Sequence, residues 1–398
     1  MKYKIILLLF TGHLMTDIAQ GAVPALLPYF ISEYHLTYAA AGFLIMALTL
    51  SSSVVQPLFG FLADRKSLPW FVALGPLLAG LGLAVTVLFH QYYLIVLGVF
   101  LCGLGVAAFH PEGARMAGIA SGEKKASGMS LFSVGGNTGF ALGPLMATGL
   151  VLLWGLKGIA FYFIPALITA IILYQAAGRF SQLAPEYTPG SSSGKDRANK
   201  IRSEDAWGPF ILLTLAIICR SILLHGFNTF LPSYWIEIFQ VSKEHAATSL
   251  TILLAMGVIG NLVGGRLADR FGYQKTVVGA FLLLIPQMLL FVWVSDITLA
   301  ILLLMTIGFT CYITFSPMIV MGQQYLPGRV GFASGITIGL AVSVGGFAAP
   351  LLGRVADSVG VQAVFSIIAF FPMIAAVLSA FIPRVLHKVG TEAHPKSG

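Results

Sequence analysis

Residues 60–65 read Gly60-Phe61-Leu62-Ala63-Asp64-Arg65, and residues 265–270 read Gly265-Arg266-Leu267-Ala268-Asp269-Arg270. Each hexapeptide closes a long apolar run with an acid-base pair, and the two stand 205 positions apart. Shifting the chain by about that amount superposes further unusual features, the mark of an internal duplication. Phe109-His110-Pro111 falls on Phe315-Ser316-Pro317, Gly143-Pro144 on Ala349-Pro350, and Pro28 on Pro232. Four matches at offsets of 204 to 206 are not a coincidence of composition.

The segments around these matches are apolar for about twenty residues at a time, enough for a helix to cross a hydrocarbon core of about 30 Å. They place helices at 4–30, 38–62, 69–88, 93–118, 126–153, 158–178, 207–235, 244–267, 274–294, 298–323, 329–354 and 361–383. Only 10% of the 398 residues are charged, against about 25% in a soluble domain, while 57% are apolar. Mean hydropathy is +0.89. No soluble fold hides that much apolar surface, so the solvent for this chain is lipid and the fold class is an all-α membrane protein.

Met1 to Phe30 begins like a signal peptide, with Lys2 and Lys4 ahead of an apolar run. It lacks a small-residue cleavage site and carries His13 and Asp17 inside the run, so it reads as a retained first helix. The net charge of +8 is scattered over loops rather than gathered on one face, which argues against nucleic acid. Topology accounts for it. Twelve spans put both termini on one side, where Lys2, Lys4, Arg65, Lys66, Lys124, Lys125, Arg179, Arg270 and Lys275 also fall; the opposite loops supply only Lys157 and Lys243. By the positive-inside rule the termini are cytoplasmic, and the expected location is a plasma membrane of the bacterial inner-membrane type. Residues 181–206, with Pro-Gly-Ser-Ser-Ser-Gly and mixed charges, read as a cytoplasmic linker. It separates a bundle over residues 1–180 from a second over 207–398.

The hexapeptides carry a family resemblance. Gly265 to Lys275, with Gly272 in place, resembles the signature of the major facilitator superfamily, Gly-x-Leu-Ala-Asp-Arg-x-Gly followed by bases. The first copy departs from it, with Ser67 for the second glycine and Pro69-Trp70 following. Phe109-His-Pro-Glu-Gly-Ala-Arg115, Ser133-Val-Gly-Gly-Asn137 and His13-Leu-Met-Thr-Asp17 together look like the fosmidomycin-resistance group of efflux proteins. The resemblance implies two pseudo-symmetric six-helix bundles around a central cavity, and proton-driven export of small antibiotics such as an anionic phosphonate. It also implies that Gly60, Asp64, Arg65, Asp269 and Arg270 latch the two halves together. Gly143-Pro144 partly matches the antiporter motif Gly-x-x-x-Gly-Pro, with Ala147 departing from it. The arginine that many drug-proton antiporters of the superfamily carry in the fourth span is absent; Val99 precedes Gly103 at that spacing.

Intramembrane ionisable groups are costly unless they face a cavity or a partner, so the few present are candidates for function. Asp17 lies thirteen residues after Lys4, about 20 Å along the helix and near mid-bilayer. His13 precedes it at i,i+4, on the same face, which suits a proton relay. His110 and Glu112 flank Pro111, and Arg115 follows Glu112 at i,i+3. Asp17, His13, His110 and Glu112 are the candidate proton carriers. Arg220 sits at a matching depth in the seventh span, beside the repeat mate of Asp17, and is expected to share its cavity. With Arg115 it is a candidate for the substrate's negative charge, since guanidinium grips phosphonate or carboxylate in bidentate fashion. His225, Asn228, Asn137, Asn261 and Gln287 offer neutral hydrogen bonds, and Phe109, Phe132, Phe140, Phe227, Tyr234 and Trp235 offer aromatic walls.

Cys102, Cys219 and Cys311 lie far apart inside apolar runs, and there is no HExxH motif, Walker loop, nucleophile elbow or Cys/His cluster. Neither an enzyme, a metal site nor a cofactor is expected. The expected partners are the lipid bilayer, protons and a small-molecule substrate, with the chain acting as a monomer. The alternative to proton-coupled efflux is uptake or exchange of an organic anion or sugar phosphate.

Overall fold

The computed structural model describes residues 1–65, 69–122, 125–181, 205–329, 332–333 and 335–383. Among them every regular element is a helix. Hydrocarbon offers no water to satisfy N–H and C=O groups, so a chain this apolar must bond its backbone within each segment. Twelve segments take the twelve expected places. These are α1 (Tyr3–Glu33), α2 (Tyr38–Phe59), α3 (Phe71–Leu88), α4 (Tyr92–Ser121), α5 (Lys125–Trp154) and α6 (Leu156–Arg179). After the expected linker, of which residues 182–204 lie outside the described residues, come α7 (Trp207–Phe239), α8 (Lys243–Phe271), α9 (Tyr273–Trp293), α10 (Ile297–Tyr325), α11 (Ala341–Val359) and α12 (Val361–Ala380). Eleven are long and apolar enough to cross a membrane. The other, α11, carries Arg354 and Asp357 and is preceded by a π-helical turn at Gly335–Leu340.

Several of these helices depart from a straight rod, α2 and α10 among them. In α2 a π turn at Leu50–Val54 leads into a short helix, Gln56–Arg65. In α10 the helix Ile297–Ile313 ends at Thr314 and restarts at Phe315. Pro317 then falls in the first turn of the new segment, where its missing N–H costs nothing.

Small residues set the spacing, because lipid gives helices no hydrophobic reason to associate and close contact must do it. Along α5, Gly135, Gly139 and Gly143 face the backbone of α1; a methyl group on Gly143 would lie 2.6 Å from the Ala22 nitrogen. Along α8, Gly260 and Gly264 face α10, where a methyl group on either would lie 2.8 Å from a carbonyl carbon. The first six helices meet the last six chiefly where α2 packs on α11 and α5 on α8. Below, the near face is the one where α1 begins, and the far face is where α1 ends and α2 begins.

Candidate functional site

His13 and Asp17 lie on the inward side of α1, both buried, and His110 approaches them from α4. The Asp17 carboxylate stands between the two rings, Oδ1 3.0 Å from Nε2 of His110 and Oδ2 3.3 Å from Nε2 of His13. His13 is itself fixed. Its Nδ1–H donates to the Phe132 carbonyl oxygen at 2.8 Å, and its ring stacks on Phe132 at 4.2 Å between centroids. Gly136 of α5 leaves the space, since a methyl group there would lie 2.5 Å from the imidazole. With Nδ1 committed to a carbonyl, which can only accept, Nε2 of His13 and the carboxylate attract each other only when a proton lies between them. The three donor atoms lie within 4.8 Å of one another, a convergence that suits one shared cation, the smallest being a proton.

Asp17 also lines a cavity of about 150 Å³ between the two halves of the chain. Asn137 and Phe140 of α5 stand with it on one wall. The opposite wall is Gly257 and Asn261 of α8 with Tyr312 and Phe315 of α10. Arg220 of α7 touches that wall from behind. Its guanidinium lies 5.0 Å from the Phe315 ring centroid and 5.6 Å from that of Tyr312, and Nε donates to the Cys311 carbonyl at 3.3 Å. Gly257 makes room for the Tyr312 ring, as Gly136 does for His13; a methyl group on it would lie 2.6 Å from that ring. Arg220 is 3% exposed, and among the described residues no carboxylate pairs with it. Ring faces repay about 2 kcal/mol of a desolvated cation, less than the several kcal/mol its burial costs. An anion in the cavity would make up the difference.

Glu112 and Arg115 form a separate unit one turn further along α4. Glu112 is fully buried, and Arg115 grips it twice, Nε to Oε2 at 2.9 Å and Nη2 to Oε1 at 2.6 Å. The pair satisfies its own charges, which gives it a different character from the Asp17 and Arg220 sites.

The remaining expected residues fall in several places. Asn137 lines the cavity. Asn261 does too, and accepts from the Ser316 hydroxyl at 2.7 Å. His225 donates through Nδ1 to the Ser221 carbonyl at 3.0 Å, and its ring fills the space left by Gly345 of α11. The Asn228 side-chain carbonyl oxygen is buried, and among the described residues no donor reaches it. Gln287 donates to Thr310 at 3.3 Å. Phe227, Tyr234 and Trp235 pack with Phe291 and Phe365 in the core of the last six helices. Asp269 accepts from Tyr273 and Arg270 lies over the Phe271 ring, contacts within the last six helices. Gly143 belongs to the α1–α5 contact within the first six, and Pro144 follows it inside α5. Gly60, Asp64 and Arg65 fall in the helix Gln56–Arg65, and the side chains of Asp64 and Arg65 lie outside what the structure describes.

Sequence reasoning missed Tyr312 and Phe315 as the seat of Arg220. One signal was present: Phe315 is the repeat mate of Phe109, whose ring lies 5.5 Å from that of His13. Each half thus presents a cationic or cation-accepting side chain of its first helix to an aromatic ring of its fourth.

Comparison with known proteins bears on the family of the chain. The sequence pattern described as Major Facilitator Superfamily matches residues 9–350. The chain is 30% identical over 381 residues to the fosmidomycin resistance protein of Escherichia coli (strain K12), covering 95% of this chain and 92% of that protein. It is also 30% identical to an uncharacterised MFS-type transporter, YfnC, of Bacillus subtilis (strain 168), covering 96% and 93%. A quinolone resistance protein of Staphylococcus aureus (strain COL), NorA, is similar at 24% over 90% of this chain and 92% of its own length. Among solved structures, a bacterial homologue of the human lysosomal transporter Spinster, inward-facing and occupied, superposes with a TM-score of 0.79 at 15% identity, covering 96% of each chain. The nucleoside transporter NupG superposes with a TM-score of 0.76 at 15% identity, covering 95% of this chain and 99% of that one.

Proposed function

This chain belongs to the major facilitator superfamily, and we propose that it is a proton-coupled exporter of small anionic, drug-like compounds that works by alternating access. As a member of that family it is a multi-pass membrane transporter of small molecules and not an enzyme. In the proposed orientation the near face, with both termini, is cytoplasmic and the far face is external.

One observation supports the reading: a carboxylate held between two imidazoles lines a cavity whose opposite wall includes Tyr312 and Phe315, the rings against which Arg220 lies, and among the described residues no carboxylate pairs with that arginine. A substrate that places an anionic group on Arg220 and an O–H or N–H donor on Asp17 competes with the proton for the carboxylate. Exchange follows from that competition. Loading the site with protons on the external side expels the donor end of the substrate, and losing them to the cytoplasm restores the acceptor. The cavity of about 150 Å³ is below the range of about 300–1,000 Å³ that drug-sized ligands occupy, so the site widens as the halves part. The names of the relatives, resistance to fosmidomycin and to quinolones, support outward drug transport.

A second reading, uptake of an organic anion together with protons, also has an observation in its favour. Protonating the His13, Asp17 and His110 group adds positive charge to the cavity whose Tyr312 and Phe315 wall Arg220 contacts, which strengthens anion binding unless the substrate reaches Asp17. Counterflow in proteoliposomes under an imposed pH gradient separates the two. Export by exchange drives fosmidomycin toward the proton-rich compartment and releases protons on binding in a weakly buffered detergent solution. Accumulation on the proton-poor side, with proton uptake on binding, replaces export by symport.

A further inference from the structure

Helix α2 starts at Tyr38, and a helix start leaves its first N–H groups without acceptors in the helix. Here those of Tyr38, Ala39 and Ala40 are taken. Thr37 caps in the usual way, its hydroxyl accepting from Ala40 N–H at 3.1 Å. Tyr38 and Ala39 donate instead to Asp357 of α11, at 2.7 Å to Oδ1 and 2.9 Å to Oδ2. Asp357 therefore caps a helix of the opposite half, 319 residues away in sequence.

The approach is built in. Gly353, one turn before Asp357, lies so close to α2 that a methyl group on it would fall 2.7 Å from Ala39 Cα; on Gly42 of α2 it would fall 2.7 Å from the Ala349 carbonyl carbon. Other bonds cross between the halves on the same far face. The Tyr38 hydroxyl donates to Glu237 of α7, and the Lys243 ammonium to Ser32. The Tyr29 hydroxyl donates to Glu244 at 3.1 Å, and Lys243 lies over the Tyr29 ring. The duplication does not repeat the Asp357 cap. Subtracting the offset of 206 from 357 gives Val151, which has no carboxylate to offer the start of α8.

We propose that Asp357 is a positioning residue of the transport cycle, whose carboxylate holds the far face closed by taking the α2 N–H groups across the boundary between halves. An anion at a helix N-terminus is favoured by both the hydrogen bonds and the helix dipole, so this contact weights the equilibrium toward the state closed on that side. When the cavity opens to the far face, Tyr38 and Ala39 must exchange Asp357 for water. The proposal rests on alternating access and not on the identity of substrate or coupling ion.

The test uses accessibility, which needs no substrate. The natural cysteines are buried, so Asn261→Cys places a reporter thiol on the cavity wall, to be labelled with a membrane-impermeant maleimide in right-side-out and inside-out vesicles. Replacing Asp357 by Asn keeps one acceptor oxygen but loses the charge and the second acceptor. Labelling from the far face is expected to rise roughly tenfold and labelling from the near face to fall, with Asp357→Glu restoring the original ratio. Unchanged rates in Asp357→Asn and Asp357→Ala, or an equal rise from both faces as a loosened fold would give, overturns the proposal. Loss of proton coupling with the labelling shift intact would remove the exporter reading and leave this one standing.

Discussion

Asp17 and His110 stand 93 residues apart in the chain and 3.0 Å apart in the fold. His13 closes the group from the other carboxylate oxygen, so a single acid is held by imidazoles from two helices. Helix spacing supplies the His13 contact. The His110 contact needs α4 to lie against α1, where Gly12 and Gly75 clear the ring of Phe109, next to His110.

Replacing Asp17 by Asn removes the charge that both histidines address while nearly preserving shape. A positioned proton-transfer group is worth roughly 10²–10⁴-fold, so gradient-driven transport in proteoliposomes falls by about 100-fold or more. Exchange of labelled for unlabelled substrate without a gradient persists. Retained gradient-driven accumulation would take Asp17 out of the coupling step.

Arg220 supplies the anion site in the proposed function. Losing a charged hydrogen bond costs about 1.5–3 kcal/mol, so Arg220→Ala weakens binding of an anionic phosphonate by roughly 10- to 100-fold, read by titration in detergent. Arg220→Lys keeps the charge but not the planar stacking on Tyr312 and Phe315, and lies between the two. Equal affinity in all three proteins would assign Arg220 to packing alone.

The Glu112 and Arg115 pair makes a prediction about stability. Removing one partner of a buried ion pair costs about 3–5 kcal/mol, so Glu112→Ala lowers the thermal unfolding midpoint in detergent markedly. Neutralising both, as Glu112→Gln with Arg115→Gln, costs less than either change alone. A double variant as unstable as the sum of the singles would mean that the two do not act as a pair.

Gly139 carries the crossing of α1 over α5. A methyl group there would lie 3.1 Å from the Ile18 nitrogen, next in sequence to Asp17, so a bulkier side chain pushes α1 and its carboxylate away. Gly139→Val is expected to cost about 1–3 kcal/mol of stability, as overpacking does, and to impair coupling. Gly149→Val serves as the control, because nothing stands within 4 Å of a carbon added at that position. Similar losses in both would place the effect in helix propensity rather than in the crossing.

Much of this was legible beforehand, for definite reasons. Membrane helices announce themselves by length and apolarity, and a duplication by its constant offset. Contacts inside one helix, His13 with Asp17 and Glu112 with Arg115, follow from three- and four-residue spacing. The Phe132 carbonyl that fixes the His13 tautomer was not legible, since any residue offers a carbonyl. The hexapeptides drew attention to the near face, where Asp269 accepts from Tyr273 and Arg270 lies over the Phe271 ring, contacts that follow from short spacing along the chain. The cap from Asp357 passed unnoticed because an acid near the end of a helix is ordinary until its neighbour is known.

The amino-acid order settled the solvent, the twelve-helix plan and the short list of buried charges, because hydrocarbon penalises each unpaired polar group severely enough to leave a pattern in one dimension. Tertiary packing settled which charges meet. Glycines at helix crossings bring α1, α4 and α5 around Asp17, seat Arg220 on Tyr312 and Phe315, and lay α11 against the start of α2. Those distances come from close contact between segments tens to hundreds of residues apart, and no local spacing encodes them.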